Sequence, residues 1–194
     1  MESFLKALRS YTPVSMEDGL FFYSFFERRK YKKNTLLLQE GMVAEEVFFV
    51  LSGGLRQFFY DGNGTEKTCN FVFENEFFTD LESFSHKKKC TTNIITTEPV
   101  ECLVITCKSL VHCMSELPAI TLLFNAIIEN VATANIKRIQ SLLSQSYEQQ
   151  FEELIRNKPD ILQRIPQRYI AQYLGIAPES LSRIRKKMLV ASKS

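Results

Sequence analysis

Residues 167–187 have the sequence QRYIAQYLGIAPESLSRIRKK, whose glycine, proline and apolar spacing determine how the C-terminal part of the chain folds. It predicts two short helices, because Gly175 can adopt the left-handed conformation that ends one helix and Pro178 suits the first turn of the next. Their apolar residues recur at helical spacing and are expected to share a small core, formed by Ile170, Ala171, Leu174, Leu181, Ile184 and Met188. Two helices joined by a tight glycine turn are the unit of a helix-turn-helix.

Burial of those apolar residues leaves a polar and basic face on the second helix. Arg183 can donate a bidentate pair of hydrogen bonds to guanine, Glu179 can accept one from a cytosine amino group, and Ser180 can bond a base or a phosphate. The residues expected to hold phosphates and set the register on DNA are Gln167, Arg168, Arg185, Lys186 and Lys187. The pattern therefore predicts binding of double-stranded DNA. A helical hairpin whose charged face is only solvated is the alternative interpretation.

The positive charge of the chain is concentrated at this end. Residues 160–194 contain seven Lys or Arg and two Asp or Glu, a net charge of +5, whereas the whole chain carries +2 and the rest must therefore carry −3. A basic C-terminal end on a mildly acidic body favours contact with a polyanion. On charge alone, a solvated helix face explains the pattern equally well.

Composition predicts a cytoplasmic protein with a substantial core. Hydrophobic residues make up 45% of the chain and charged residues 24%, which is typical of globular proteins and argues against disorder or a fibrous repeat. No uninterrupted run approaches the ~18 apolar residues of a membrane span. The first ten residues include Glu2, Lys6 and Arg9 instead of the apolar segment of a signal peptide. We therefore expect neither membrane insertion nor export.

The cysteines and histidines indicate neither a cofactor nor a catalytic centre. Five cysteines form an odd set without a Cys-x-x-Cys pair, which favours reduced, buried thiols over disulfides. They are Cys69, Cys90, Cys102, Cys107 and Cys113. Only His86 and His112 are available to complete a metal site, and no nucleophile motif accompanies either histidine. We expect no metal, no cofactor and no enzymatic activity.

The N-terminal part of the chain alternates short apolar runs with turn residues. Helices are predicted at residues 2–9 and 16–29, the second with Ser15 as its N-cap. Strand-like runs follow at 35–38, 46–51, 55–60, 66–73, 91–97 and 100–106. Several short strands at this spacing predict a compact β-barrel or β-roll.

From Pro118 to about Ser144 the pattern changes to one long helix. Apolar residues follow two of its faces, and a helix that is apolar on two sides needs two partners. The face spaced as a coiled-coil seam, predicted to form a homodimer, consists of Ile120, Phe124, Ile127, Val131 and Ala134. The face predicted to pack on the roll consists of Leu122, Leu123, Ala126 and Ile128. Complete burial of the helix within one domain is the alternative.

Together these segments resemble the Crp/Fnr family of bacterial regulators, whose recognition helix carries a Glu-x-x-x-Arg motif that Glu179 and Arg183 match. Residues 38–56, LQEGMVAEEVFFVLSGGLR, resemble the Gly and Ser-Gly pattern of that family's β-roll. The resemblance implies an α+β fold, with a jelly-roll-like (double-stranded β-helix) β-roll, a long dimerisation helix and a winged-helix-type helix-turn-helix domain. The corresponding parts are a cyclic nucleotide-binding-like sensor domain (1–117), the dimerisation helix (118–145) and the DNA-binding domain (146–194).

One departure from the family concerns the effector. Relatives that bind cyclic nucleotides use a Gly-Glu pair for the ribose and an Arg-Ser pair for the phosphate. This chain has Thr79 and Asp80, then Cys90 and Thr91, at these positions, which are its candidate effector-pocket residues. Without the arginine we expect no cAMP binding, because the neighbouring lysines 87–89 lack its planar fork. The lysine run is interpreted as a solvated turn.

For function, the resemblance implies a transcription regulator that binds a pseudo-palindromic operator as a homodimer, with two recognition helices about one helical turn apart. RNA polymerase and an unidentified small-molecule effector are the further partners that it implies. The chain stops at Ser194, so the wing that follows the recognition helix in many relatives is expected to be short or missing. Since the first cysteine is Cys69, the N-terminal cysteine group of iron-sulfur relatives has no counterpart. A ligand-responsive protein-interaction module, with a small-molecule site in the roll, is the alternative interpretation.

Overall fold

Two four-stranded antiparallel sheets form a β-roll in the computed structural model, which describes the backbone of residues 1–191 and the side chains of residues 1–188. The strands are β1 (Glu27–Tyr31), β2 (Leu36–Leu38), β3 (Glu46–Ser52), β4 (Leu55–Tyr60), β5 (Glu66–Val72), β6 (Phe77–Phe78), β7 (Asn93–Thr96) and β8 (Val100–Thr106). One sheet has the order β1-β8-β3-β6 and the other β2-β7-β4-β5. Apolar side chains of both sheets, including Phe49, Leu55 and Ile94, are fully buried in one core.

Helices precede, interrupt and follow the roll. They are α1 (Glu2–Tyr11), α2 (Met16–Tyr23), α3 (Leu81–His86), α4 (Cys107–Glu116), α5 (Pro118–Ser144), α6 (Tyr147–Asn157), α7 (Ile161–Arg164), α8 (Gln167–Leu174) and α9 (Pro178–Ala191). Ser15 caps α2 by accepting a hydrogen bond from the Asp18 N–H, as the sequence predicts. Ser146 and Gln149 form a capping box that starts α6 directly after the long helix ends.

The predicted fold class is confirmed, but the region after α2 differs from the prediction. The helix expected over residues 16–29 ends at Tyr23, and Glu27–Tyr31 forms strand β1, paired along its length with β8. Arg28 donates to the Glu101 carboxylate at 2.6 Å across this pair. The segment has no alternation of apolar residues, so its strand conformation depends on partners distant in sequence. Helices α3 and α4 and the short strand β6 were likewise not predicted.

The C-terminal helices do not stand apart from the roll. Phe71 and Phe73 belong to the roll by sequence, yet both lie in the same buried cluster as the core of α6 to α9. The ring centroid of Phe71 is 5.5 Å from that of Tyr173 on α8. Helix α8 therefore packs directly on strand β5, and one apolar core spans the boundary between the two domains.

Candidate nucleic-acid interface

The turn between α8 and α9 determines how these two helices cross. Gly175 has a φ of +71°, a left-handed conformation in which any side chain is strained. The Ile176 N–H donates to the Ala171 carbonyl at 3.0 Å and closes the turn. The predicted core residues Ile170, Ala171, Leu174, Leu181 and Ile184 are buried, and Met188 packs against them. The structure therefore contains the helix-turn-helix that the sequence predicts.

The outward face of α9 is open to solvent. Among the residues predicted to contact DNA, the exposed ones are Gln167, Arg168, Glu179, Arg183, Lys186 and Lys187, and the half-buried ones are Ser180 and Arg185. Arg183 donates a 3.3 Å hydrogen bond to the Ser180 hydroxyl, and Lys187 lies 3.7 Å from Glu148. Contacts between exposed side chains of this kind contribute little stability. Both cations can therefore exchange these contacts for an anionic partner.

A buried arginine of the roll contacts helix α8 of the helix-turn-helix. Arg56 on β4 is 2% exposed and pairs with Glu66 at 2.7 Å. Its guanidinium lies between two aromatic rings, 4.2 Å from the centroid of Phe58 and 3.8 Å from that of Tyr169 on α8. It also approaches the Gln172 side-chain oxygen at 3.5 Å. Cation–π contacts strengthen when the cation is desolvated, so Arg56 joins the roll to α8.

A second arginine connects α7 to the turns of the roll. Arg164 donates to both oxygens of Glu74, at 2.7 and 2.8 Å, and to Glu98 at 2.6 Å. Burial raises the pKa of Glu74, but hydrogen bonds from Arg164 and the Gly53 N–H outweigh it and hold that pKa below its ordinary value of 4.5. Such bidentate geometry fixes orientation as well as charge.

The long helix reaches the same domain through Arg138. Its guanidinium donates to the Tyr173 carbonyl at 2.7 Å and lies 4.1 Å from the centroid of the Tyr173 ring. It also approaches the Gln150 side-chain oxygen on α6 at 3.4 Å. The roll, through Arg56 and the partners of Arg164, and the long helix α5, through Arg138, therefore hold the C-terminal domain.

These interdomain contacts were not predicted from the sequence. Arg56 and Gln172 lie 116 residues apart, and no local pattern relates them. The one available signal was a charged residue between Leu55 and Phe58 in an otherwise apolar strand, because a buried arginine needs a partner.

The candidate effector residues are occupied by contacts within the protein. Asp80 caps α3 through the Ser83 N–H at 3.1 Å and accepts a 2.7 Å hydrogen bond from the Thr92 hydroxyl. Thr79 donates to a backbone carbonyl at 2.8 Å, the Cys90 thiol is buried, and Thr91 is exposed. The hydrogen bond between Thr92 and Asp80 joins the two segments that carry these four residues. The neighbouring lysines 87–89 are all exposed, and the amino group of Lys87 also donates to the Cys107 sulfur at 2.7 Å.

A cleft opens on the roll beside Thr79. It has a volume of about 400 Å³ and is lined mainly by apolar side chains, among them Leu36, Met42 and Phe48. Glu45 and Glu46 contribute the charged part of its wall. A cleft of this composition suits an apolar ligand better than a phosphate.

The long helix does not use its faces as predicted. Ile120, expected in the dimer seam, is 1% exposed and lies in the core of the roll domain. Phe124 and Ile127 pack against the same core, as does the predicted roll-facing Leu123. Val131 and Ala134 are exposed, and Leu122, expected on the roll, is 67% exposed. In the first turns of α5, the face that packs on the roll is therefore a different face of the helix from the predicted one.

The exposed apolar side of α5 lies elsewhere along the helix. Its large exposed side chains beyond Val131 are Ile136, Ile139, Leu142 and Leu143. By length and composition α5 is also apolar enough to cross a membrane, with a mean hydropathy of 1.4 over its best window. The sequence contains no uninterrupted apolar run here, because polar residues such as Asn125 and Glu129 are spaced along the helix. The high mean hydropathy of α5 was therefore not predicted.

The five cysteines of the roll domain are all free thiols. Cys90, Cys102 and Cys113 are buried, and none of the five is in a disulfide. Burial raises the pKa of Cys102 to about 12, with a further contribution from the charge of Glu101. Within residues 1–188, no three His, Cys, Asp or Glu side chains are grouped so as to hold a metal ion.

Comparisons with known proteins agree with this architecture. Residues 28–116 match the family of the cyclic nucleotide-binding domain. Among solved structures, FixK2 from Bradyrhizobium japonicum is 14% identical, with 86% of each chain covered and a TM-score of 0.75. A transcriptional regulator assigned to the Crp/Fnr family from Eubacterium rectale is 16% identical, with 94% of this chain and 88% of that chain covered and a TM-score of 0.69.

A third similar structure is that of the c-di-GMP responsive global regulator CLP from Xanthomonas campestris, 16% identical, with 92% of this chain and 93% of that chain covered and a TM-score of 0.68. A search of curated protein sequences found no significant match. The chain thus contains a cyclic nucleotide-binding-type domain followed by a helix-turn-helix. Over nearly its whole length it has the fold of the Crp/Fnr transcription regulators, which confirms the resemblance seen in its sequence.

Proposed function

We propose that the chain is a cytoplasmic transcription regulator that binds a pseudo-palindromic DNA operator as a homodimer. The observation that carries this proposal is the exposed polar face of α9, on a helix whose other face is buried in the helix-turn-helix core. A helical hairpin whose charged face is only solvated would not require a buried helix-turn-helix core that the roll holds in place. An exposed recognition face on a rigid support suits entry into the major groove.

The exposed residues divide into two roles. Arg183 would read guanine through two parallel hydrogen bonds, and Glu179 would accept one from cytosine. Lys186 and Arg168, with the other exposed cations, would contact phosphates and set the register without reading sequence. Substitution of the first group should alter which sequence is preferred, and substitution of the second should weaken all sequences alike.

The dimer would form through the exposed apolar side of α5. Ile136, Ile139 and Leu143 recur three and four residues apart, which is the spacing of a helix–helix seam. A second copy explains this side better than a bilayer does, because Lys137 and Arg138 lie within the same stretch and Arg138 contacts the soluble C-terminal domain. This seam replaces the predicted one, whose first residue Ile120 is buried in the protomer.

The roll would act as the sensor, with RNA polymerase as a further partner of the regulator. The cyclic-phosphate positions hold Cys90 and Thr91 instead of Arg and Ser, so the counter-charge for cAMP is absent from those positions. The apolar cleft beside Thr79 is the place for a different small-molecule effector. The function is one of binding, and we expect no catalytic turnover.

Selection of genomic DNA fragments on the purified protein tests this proposal. We expect enrichment of fragments that share two inverted half-sites with centres about 10 base pairs apart. An Ile139→Glu variant should sediment as a monomer and lose this enrichment. Val111→Glu, at an exposed position on α4, should remain a dimer and keep the enrichment. Recovery of fragments without a shared motif would contradict the proposal.

A ligand-responsive protein-interaction module remains the second candidate, supported by the apolar cleft in the roll. In that case the exposed face of α9 would contact protein. The two candidates differ in their response to salt, because binding through several phosphates weakens steeply as salt increases and most protein contacts respond less.

A further inference from the structure

We propose that two lysines of the roll, Lys32 and Lys33, extend the DNA interface to phosphates that flank the operator. This inference rests on the proposed function and adds a second contact surface to it. Residues 28–33 have the sequence RRKYKK, with five cations in six residues. The run lies in the part of the chain outside residues 160–194, which carries a net negative charge, and no role was predicted for it from the sequence.

The members of the run differ in their pairing. Arg28 and Lys30 lie 2.6 and 3.7 Å from Glu101, and Arg29 pairs with Glu46 at 2.7 Å. Lys32 and Lys33 are exposed, and neither takes part in an ion pair among the residues whose side chains the structure describes. Three cations thus stabilise the edge of the sheet, and two are available to an external anion.

The backbone that carries the two lysines is held firmly. The Lys32 carbonyl accepts hydrogen bonds from the hydroxyls of Thr35 and Thr96, each at 2.7 Å. Asn34 has a φ of +63°, which turns the chain sharply, and its N–H donates to the Thr96 carbonyl at 3.0 Å. The lysines therefore project from a fixed turn at the end of β7, and little ordering of the backbone opposes a contact there.

The same turn lies at the end of the roll that meets the C-terminal domain. Thr97, next to Thr96, donates to the Gly54 carbonyl at 2.9 Å, and the following Glu98 accepts from Arg164 at 2.6 Å. Arg164 ends α7, only two residues before α8 begins with the exposed Gln167 and Arg168. The lysines and the start of the helix-turn-helix thus occupy one end of the molecule.

Charge favours DNA over an acidic protein segment as the occupant of this surface. Glu74 and Glu98 lie between the lysine turn and α8, and Arg164 pairs with both, so that one negative charge remains in this cluster. Lys32 and Lys33 on one side of this cluster and Arg168 on the other are exposed, and none of the three takes part in an ion pair among the described side chains. Exposed cations beyond a major-groove reader suit the phosphates of a duplex that extends past the operator.

Binding measured on two duplexes tests the proposal. One contains only the selected operator, and the other carries about 10 further base pairs at each end. Lys32→Gln/Lys33→Gln should bind the short duplex nearly as the unmodified chain does. On the long duplex it should bind roughly tenfold more weakly, with a less steep dependence of affinity on salt, by about 0.9 in log–log slope for each lost contact.

Lys88→Gln/Lys89→Gln is the matched control, because it removes the same charge from exposed positions at the other end of β7. Thermal unfolding followed by circular dichroism verifies that both variants are folded. Equal weakening by the two variants, or no difference between the two duplexes, overturns the role of Lys32 and Lys33 while leaving the proposed function intact. Failure of the unmodified chain to bind either duplex instead overturns the proposed function.

Discussion

The two sides of the helix-turn-helix use arginine in opposite ways. On the side that faces the roll, the side chains of Arg56 and Arg164 are 3% and 22% exposed, and each is paired with a carboxylate at 2.7 Å or less. On the outer side, Arg183 is exposed and contacts only the Ser180 hydroxyl within the described residues. Paired, buried arginines fix position, whereas exposed ones keep their hydrogen-bonding capacity for a ligand.

Contacts with the roll therefore fix the position of the domain, while its exposed arginine is available to a partner. An arginine already neutralised by Glu66 or Glu74 gains little from a phosphate. An arginine without a carboxylate partner gains the full charge-assisted interaction. Substitutions on the two sides should therefore have different effects. Those on the inner side should alter stability, and those on the outer side should alter DNA affinity.

The largest effect is expected at Phe71, whose ring is buried in the core shared by both domains. Phe71→Ala should lower the free energy of unfolding by about 3–5 kcal/mol, because it leaves a cavity where β5 meets α8. Urea denaturation measures this change. Phe59→Ala, at a 37% exposed position of the adjacent strand, is the control and should cost less than about 1 kcal/mol. Equal losses in the two variants would contradict a shared core.

Arg56→Ala should lower the free energy of unfolding by about 2–3 kcal/mol, since it removes the two ring contacts and leaves Glu66 without its partner. The half-exposed position of Glu66 keeps the loss below that of a fully buried pair. Urea denaturation again provides the measurement, with Arg183→Ala as the control from the outer side. A stability loss at Arg183 as large as that at Arg56 would refute the division.

Arg183→Ala should weaken operator binding by about 1–3 kcal/mol and relax the preference at one base position. Lys186→Ala should weaken the operator and a random duplex by the same factor, because a phosphate contact carries no sequence information. Fluorescence anisotropy with both duplexes measures the two effects. If both variants reduced binding to both duplexes equally, Arg183 would not be a base-reading residue.

The smallest effect concerns pH and the ion pair of Glu74 with Arg164. Because the pKa of Glu74 is lowered in the folded protein, the pair stabilises above pH 4.5, and its contribution is lost as the pH falls below that value. Glu74→Gln should therefore reduce the difference in unfolding free energy between pH 7 and pH 3.5. Arg164→Gln should reduce it too, and the double variant should do no more than either alone. Additive losses would show that the two side chains act separately.

Much of the fold was predictable because its signals are local. The glycine turn at Gly175 and the apolar spacing around it specify the helix-turn-helix within about twenty residues. Strands β4 and β8 have the predicted boundaries because turn residues border each of them. The exposed recognition residues follow from the same pattern, since burial of one face of a helix exposes the other.

The elements that sequence analysis missed depend on distant partners. Strand β1 is held by β8, more than 70 residues away, and its own residues are mostly charged. The apolar faces of α5 could not be assigned to their partners, because helical spacing shows that Ile120 and Ile136 are apolar but not which of them meets the roll. The contacts of Arg56 with α8 likewise join segments that no local pattern relates.

The most direct test is a titration of the purified chain with duplex DNA carrying the selected operator, repeated from 50 to 200 mM salt. We expect tight binding at low salt that weakens by roughly 10³–10⁵ over this range, as for an interface with six to ten phosphate contacts. An Arg183→Ala/Lys186→Ala variant with unchanged urea stability should bind far more weakly. Absence of binding at 50 mM salt, or equal binding by this variant, would contradict the assignment of the outer face of α9 to DNA.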